Sequence, residues 1–171
     1  MNHVYLHEIA DDEAGIYACL SHRWGNQTVL KTTSATLQDY KKNIPWAELP
    51  KTFQDAMSFT FRLGIGHLWI DSLCILQDSA EDWRHEGSMM SKIYEGSYVT
   101  LAATVAADAS EGLFRTSSPD SMYQSFDYTR TDGQIYDVKC RSALTHWSIS
   151  TNPLIQRPWV SSVSTMRETR Y

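Results

Sequence analysis

Residues 67–103 read HLWIDSLCILQDSAEDWRHEGSMMSKIYEGSYVTLAA and hold the clearest signal of the fold in this chain. This stretch opens with a short apolar run that ends in an acid, residues 67–71, and it closes with a second apolar run, residues 98–103. Both runs have the length and the composition of short strands. The polar segment between them is long enough to hold a helix, so the stretch predicts one β-α-β unit.

The helix in the middle of this stretch has a start signal and a stop signal. Ser79 and Asp82 have the spacing of a capping box, in which a side chain satisfies a free N–H group of the first helical turn. The helix is predicted to run to about Tyr94, because Gly96 follows and glycine interrupts helices. At about 100° per residue, one side of this helix carries Trp83, Glu86, Met90, Ile93 and Tyr94.

The sequence upstream repeats the alternation of apolar runs and helices. Residues 16–20, IYACL, lie between a glycine and a polar segment, as expected of a strand that is buried on both faces. A helix is predicted to start with Thr52 as its cap, since Asp55 follows three residues later, and to stop at Gly64. A short helix is also expected around residues 35–41.

Helices that alternate with short apolar strands predict an α/β fold with an open, mostly parallel sheet and helices on both faces. Right-handed crossovers would place the carboxyl ends of the first two strands at the same edge of that sheet. The pattern changes beyond residue 107, where residues 122–128 and 135–140 alternate around Thr131-Asp132-Gly133-Gln134. An Asp-Gly pair between two such runs predicts a C-terminal β-hairpin.

The composition argues against several classes of function. The 171 residues carry a net charge of −5 without a block of lysine or arginine, so no binding to nucleic acid is expected. The three cysteines are far apart, the N-terminus lacks the features of a signal peptide, and the longest apolar-rich stretch is too short to span a membrane. We therefore expect a soluble, cytoplasmic protein without a membrane span.

The sequence also lacks the usual signatures of metal and cofactor sites. The six histidines have no paired ligand spacing and the cysteines form no Cys-x-x-Cys motif, so no metal site is expected. Gly64-Ile65-Gly66 precedes a strand instead of opening a helix, which argues against a dinucleotide-binding loop of the dehydrogenase kind. No resident cofactor is expected.

Three passages resemble the fungal heterokaryon incompatibility (HET) domain family. Residues 17–25, YACLSHRWG, resemble the first block of the family, and residues 49–56 resemble the helix that follows it. The most specific match is the second block. It runs from LWIDSLCILQD at residues 68–78, through the helix, to LAAT at 101–104 and GLF at 112–114.

The resemblance has two departures. His22 stands where the family usually has tyrosine. The third block usually reads Arg-Gly-Trp followed by a Gln-Glu pair, whereas this chain has Arg157-Pro158-Trp159 and no Gln-Glu pair after it. The expected organisation is a HET domain at residues 1–160, with its core at about 15–107 and the hairpin at about 120–142, followed by a divergent tail at 161–171.

The resemblance implies a role in fungal non-self recognition, in which incompatible partners trigger programmed cell death. HET domains are also distantly similar to Toll/interleukin-receptor (TIR) domains, some of which cleave NAD. The resemblance therefore implies a flavodoxin-like or TIR-like sheet, NAD as a possible substrate, and protein partners or self-association.

Glu86 is the candidate catalytic residue. It lies on the apolar side of its helix, where a carboxylate is costly unless it is paired, hydrogen-bonded or protonated. In an NAD glycohydrolase, Glu86 would be the catalytic acid that holds a ribose hydroxyl or stabilises an oxocarbenium-like ribosyl centre. Alternatively, it is a structural carboxylate that bonds buried backbone or Arg23.

Further ligand contacts are expected where the first two strands end, because open α/β sheets bind ligands there. Arg23 could contact a pyrophosphate or form a salt bridge with Asp71 or Glu86, and Asp71 could bind ribose hydroxyls or cap the next turn. Trp83 could stack on a nicotinamide or adenine ring, although the core is the more frequent place for a tryptophan on such a helix. The expected NAD-binding residues are Ser21, Arg23, Trp24, Asp71 and Trp83.

Two functions remain open at this point. The domain could hydrolyse NAD, or it could signal by self-assembly without catalysis, including as an inactive, truncated regulator of full-length HET proteins. A further hypothesis pairs Cys74, as a nucleophile, with His22 as its base.

Overall fold

The computed structural model describes residues 3–9, 15–25, 30–104, 106–114 and 124–140. Its centre is a parallel sheet of three strands in the order β2-β1-β3, where β1 is Tyr17–Ser21, β2 is His67–Ile70 and β3 is Val99–Ala102. Leu20 of the central strand lies opposite Ile70 on one side and Leu101 on the other. The parallel sheet that the apolar runs predict is therefore confirmed.

The helices connect the strands as the sequence predicts. α2 lies between β1 and β2, and α4 lies between β2 and β3. The helical segments are α1 (Leu37–Tyr40), a 3-10 turn (Trp46–Glu48), α2 (Lys51–Arg62), α3 (Asp71–Cys74) and α4 (Ala80–Gly96).

α2 and α4 cover opposite faces of the sheet. On the α2 side, Leu20 and Ile70 belong to one buried cluster with Phe53. On the other side, the Tyr17 hydroxyl donates to the Ile93 carbonyl of α4 at 2.7 Å. Side chains alternate between the two faces of a strand, so this division follows from the strand period of two. Helices on both faces are thus confirmed.

The start of α2 differs from the prediction. The helix begins directly after Pro50, and no side chain caps it. The Thr52 hydroxyl instead accepts the N–H of Gly112 at 3.0 Å, and the Asp55 carboxylate accepts the N–H of Leu113 at 3.0 Å. The predicted capping box is wrong because a loop from elsewhere in the chain uses both side chains.

The end of α2 agrees with the prediction. The N–H of Ile65 donates to the Thr60 carbonyl and the N–H of Gly64 donates to the Phe61 carbonyl. This pair of bonds closes a helix when the residue after it adopts a left-handed conformation, and Gly64 has φ 76°.

α4 begins as predicted, with the Ser79 hydroxyl accepting the N–H of Asp82 at 3.2 Å. The Asp82 carboxylate does not complete the capping box, since it accepts the N–H of Leu76 at 2.7 Å and so holds the preceding loop. The helix continues to Gly96, two residues beyond the predicted end at Tyr94.

The apolar side predicted for α4 is correct only towards its C-terminal end. Tyr94 is 3% exposed, whereas Trp83 is 56% exposed, so the interpretation of Trp83 as a core residue is wrong. The helix has 17 residues and the central strand has five. At about 1.5 Å per helical residue and about 3.3 Å per strand residue, the helix is longer than the sheet beneath it.

The predicted hairpin is present as β4 (Gln124–Thr129) and β5 (Ile135–Cys140), which pair in antiparallel fashion. Gly133 adopts φ 84° in the turn, as an Asp-Gly hairpin signal implies. Phe126 lies opposite Val138, and Tyr128 lies opposite Tyr136.

Within the described ranges, every helix is too short or too polar to cross a bilayer. The third block at residues 157–159 and the tail expected at 161–171 lie outside these ranges.

Candidate functional site

The candidate site lies at the carboxyl edge of the sheet, where β1 and β2 end side by side. Leu20 and Ile70 are paired, so the next residues along the two strands, Ser21 and Asp71, emerge together at this edge. Asp71 is also the first residue of α3, which turns the chain away from the sheet directly after β2. The sequence prediction that these two positions share one edge is confirmed.

The carboxylate of Asp71 bonds several groups at this edge, and Asp71 is only 5% exposed. The indole N–H of Trp24 donates to both carboxylate oxygens, at 3.2 and 3.1 Å. The backbone N–H of Ser72 donates to Oδ1 at 2.7 Å, which caps the start of α3. Asp71 therefore joins the loop after β1 to the loop after β2, and its turn-capping role is one of the two alternatives that the sequence left open.

His22 is part of the same buried edge. It is 1% exposed, and its Nδ1 lies 3.8 Å from Oδ1 of Asp71. Its ring meets the ring of Phe53 edge-on, with centroids 4.9 Å apart. These contacts place His22 between the α2 core and the Asp71 carboxylate.

Two buried hydroxyls at this edge have hydrogen-bonding capacity that the described residues do not use. Ser21 is 5% exposed and Ser72 is 0% exposed, and neither hydroxyl oxygen bonds another described residue. Buried polar groups in folded proteins nearly always have a partner, which can be an ordered water or a ligand. Ser21 and Ser72 therefore mark a polar position at the sheet edge.

The loop after β2 is held firmly by residues that the sequence did not single out. The Thr32 hydroxyl donates to the Leu73 carbonyl at 2.6 Å, and the Thr32 N–H donates to the Ser72 carbonyl at 3.0 Å. The Gln77 side-chain amide donates to the carbonyls of Asp71 and Ile75. In the sequence, Thr32 and Gln77 are a threonine and a glutamine near apolar runs, and neither residue type indicates which carbonyl groups it will bond.

Glu86 lies in the second turn of α4, and its side chain is 27% exposed. Its Oε1 lies 4.0 Å from Nε2 of the exposed His85. The carboxylates of Asp71 and Glu86 both lie near enough to Cys74 to raise the pKa of its thiol. Asp82, one turn before Glu86, accepts the N–H of Leu76, so the start of α4 lies against the loop that follows α3.

The thiol of Cys74 has a raised pKa, which does not favour the hypothesis that Cys74 is a nucleophile. Desolvation first, and the two carboxylates after it, raise the pKa of Cys74 to about 11, although part of the residue reaches the surface. A thiol with a raised pKa is protonated near neutral pH and reacts poorly.

Arg23 and Trp83 lie at the surface. The Arg23 side chain is exposed and forms no ion pair with another described residue, so neither of the salt bridges considered for it, to Asp71 or to Glu86, is formed. The indole of Trp83 lies along Gly87, one turn further down α4. The structure thus joins Trp24 and Asp71 by direct contact with Ser21 beside them, and it leaves Arg23 and Trp83 outside that network.

In the part of the chain that the structure describes, no group of three or more histidine, cysteine or acidic side chains is placed to hold a metal ion.

Comparison with known families identifies the chain. Residues 17–162 match the model of the family described as heterokaryon incompatibility protein (HET), and the chain belongs to that family. No curated protein and no solved structure gave a match. Membership of this family supports a role in heterokaryon incompatibility.

Proposed function

We propose that this HET-family domain hydrolyses NAD at the carboxyl edge of its sheet, and that this reaction underlies its role in heterokaryon incompatibility and in programmed cell death. The observation that supports the proposal most is the position of Glu86. Its carboxylate is half-buried, and Asp82, one turn before it, accepts the Leu76 N–H in the loop that follows α3. We infer that this acidic group faces the edge at which open α/β sheets bind ligands.

The chemistry needs one well-placed carboxylate. Hydrolysis breaks the bond between C1′ of the ribose and the nicotinamide nitrogen, and the electron pair of that bond neutralises the pyridinium ring. The ribosyl carbon then carries positive charge, which we assign Glu86 to stabilise while it accepts a hydrogen bond from a ribose hydroxyl. Water adds to C1′ and releases one proton to solvent, so the products are ADP-ribose and nicotinamide.

The remaining residues of the proposed site bind and position the substrate. The spare hydroxyl of Ser21 would bond a ribose hydroxyl, Arg23 would contact the pyrophosphate, and Trp83 would stack on a ring. Trp24 and Asp71 would keep the edge rigid, because each already holds the other. A direct bond from Asp71 to the ribose stays a prediction.

The test is nicotinamide release by the purified protein, with Glu86→Gln beside Glu81→Gln as a matched control. Glu81 is an exposed acid in the first turn of the same helix, so its substitution changes the charge equally. We expect Glu86→Gln to lower the rate by about 100-fold or more, and Glu81→Gln to leave it unchanged. Equal release by wild type and Glu86→Gln would exclude the role of Glu86, and no release at any protein concentration would exclude the enzymatic function.

The exposure of Trp83 supports a second candidate, a non-enzymatic module that self-associates or docks a partner. A tryptophan that is 56% exposed is a typical anchor of a protein interface. Sedimentation of the wild type and of Trp83→Ala over a range of concentrations tests this function. Association that weakens in Trp83→Ala but not in Glu86→Gln would support it, and a monomer at every concentration would exclude self-association.

A further inference from the structure

A cavity of about 390 Å³ that opens widely to solvent lies next to Thr32, whose neighbours Lys31 and Thr33 line it. Its walls come from the segment that contains Leu30 and Lys31, from Tyr40 at the end of α1, and from Glu48 and Pro50 before α2. Small-molecule sites start at about 300 Å³, so the cavity has room for a small metabolite.

The cavity walls are pre-ordered by hydrogen bonds. Thr32 is fixed to α3 by bonds from its N–H and its hydroxyl to backbone carbonyls. The next residue, Thr33, donates its N–H to the hydroxyl of Thr36 at 3.0 Å. A preformed cavity binds a small molecule without having to order its own walls, which favours affinity.

The cavity carries one positive and one negative group that do not neutralise each other. Lys31 and Glu48 are both exposed, and neither forms an ion pair with the other or with any further residue in the described ranges. By contrast, the nearby Lys41 and Lys42 pair with Glu8 and Asp39. Two opposite charges that line one cavity without forming an ion pair match a ligand that carries both charges.

Tyr40 adds an aromatic wall and a donor. It is half-buried, and burial followed by the Glu48 carboxylate raises the pKa of its phenol, so the hydroxyl stays protonated. Leu30 and Pro50 make the wall beside it apolar. The part of the ligand between its two charges, or attached to them, should therefore be apolar or aromatic.

We propose that this cavity binds a zwitterionic amino acid with an apolar or aromatic side chain. Lys31 bonds the carboxylate, Glu48 bonds the ammonium group, and the side chain lies against Tyr40 and Leu30. Lys31 and Glu48 together carry no net charge, and neither does the ligand, which favours a zwitterion over a phosphate. This site does not depend on the NAD chemistry proposed for the sheet edge.

The experiment is calorimetric titration with three related probes. Phenylalanine carries both charges, phenethylamine lacks the carboxylate, and 3-phenylpropionate lacks the ammonium group. Hydrogen bonds to charged groups predict that each analogue binds about tenfold or more weakly than phenylalanine. Lys31→Met should lower the affinity for phenylalanine to that for phenethylamine, and it should leave the affinity for phenethylamine unchanged. Glu48→Gln should lower the affinity for phenylalanine to that for 3-phenylpropionate, and it should leave the affinity for 3-phenylpropionate unchanged.

Lys42→Met is the matched control, because Lys42 follows Tyr40 by two residues and is 77% exposed but does not line the cavity. It should leave all three affinities unchanged. The proposal is overturned if phenylalanine shows no saturable binding at millimolar concentration. It is equally overturned if Lys31→Met weakens the three probes alike, since that would indicate a change in structure and not the loss of a carboxylate contact.

Discussion

The two long helices cover opposite faces of one sheet, yet they are buried to very different extents. α2 has 12 residues and buries five of them, Thr52, Phe53, Asp55, Ala56 and Thr60. α4 has 17 residues and buries only Tyr94. Burial along α2 is the mark of a helix that stabilises the fold, whereas α4 keeps most of its length available for contacts with other molecules.

The difference arises from how each helix is attached. α2 is bonded near its start by the loop after β3, since Thr52 N–H donates to Ala109 and the N–H groups of Gly112 and Leu113 donate to side chains of α2. α4 is attached near its two ends. Asp82 holds the Leu76 N–H at the start of the helix.

At the other end of α4, the Tyr94 hydroxyl donates to the Leu20 carbonyl at 3.2 Å, and the Tyr94 ring contacts Trp69. The surface between the two attachments carries Glu86 and Trp83, the residues to which we assign function.

The comparison is tested most strongly by removing one large ring from each helix. Phe53 is fully buried between β1, β2 and His22, so Phe53→Ala should lower the free energy of unfolding by about 3–5 kcal/mol. Trp83→Ala should change it by no more than about 0.5 kcal/mol, because the ring is mostly exposed. Both values come from urea denaturation followed by far-UV circular dichroism. Similar losses in the two variants would show that α4 is as much a part of the core as α2.

The elements of the fold were predictable from the sequence because their signals are local. The apolar run at residues 16–20 predicts the buried strand β1, although Ile16 itself is exposed. Ser79 marks the start of α4 and Gly64 marks the end of α2, and each acts only on its own helix. Asp-Gly at residues 132–133 likewise defines the hairpin turn without help from the rest of the chain.

The location of the candidate site was predictable from the sequence, but its side-chain contacts were not. The carboxyl edge follows from topology, so Ser21 and Asp71 could be put side by side from the strands alone. The hydrogen-bond partner of Asp71 could not be predicted, because the bond from Trp24 spans 47 positions in the chain. The misassigned cap at Thr52 has the same origin, since its true partner, Gly112, lies 60 positions away.

The attachment of α2 is tested by Gly112→Ala. Gly112 has φ 85°, and a Cβ there would lie 2.6 Å from Oδ2 of Asp55 and 3.2 Å from Cγ of Lys51. Strained backbone alone costs about 1–3 kcal/mol, and the contact with Asp55 forces a displacement as well, so we expect a loss of stability at the upper end of that range.

Gly64→Ala is the control for Gly112→Ala. Gly64 has φ 76° but nothing within 4 Å of its added methyl group, so it should show the backbone cost of about 1–2 kcal/mol without the contact. Denaturation of the two variants in parallel isolates the contact of the loop with α2. Equal losses of stability in the two variants would mean that the loop moves aside at little cost and that the stability of α2 does not depend on it.

A small effect of the opposite sign is expected for Gly87→Ala in the middle of α4. Glycine within a helix is destabilising by about 0.5–1 kcal/mol relative to alanine, so the substitution should raise the free energy of unfolding by that amount. The added methyl group would meet the Trp83 ring at 3.8 Å, which is an ordinary contact. The gain requires that no other part of the fold lies over this surface, as the exposure of α4 implies. A loss of stability in Gly87→Ala would place a packed neighbour there and would remove the distinction between the two helices.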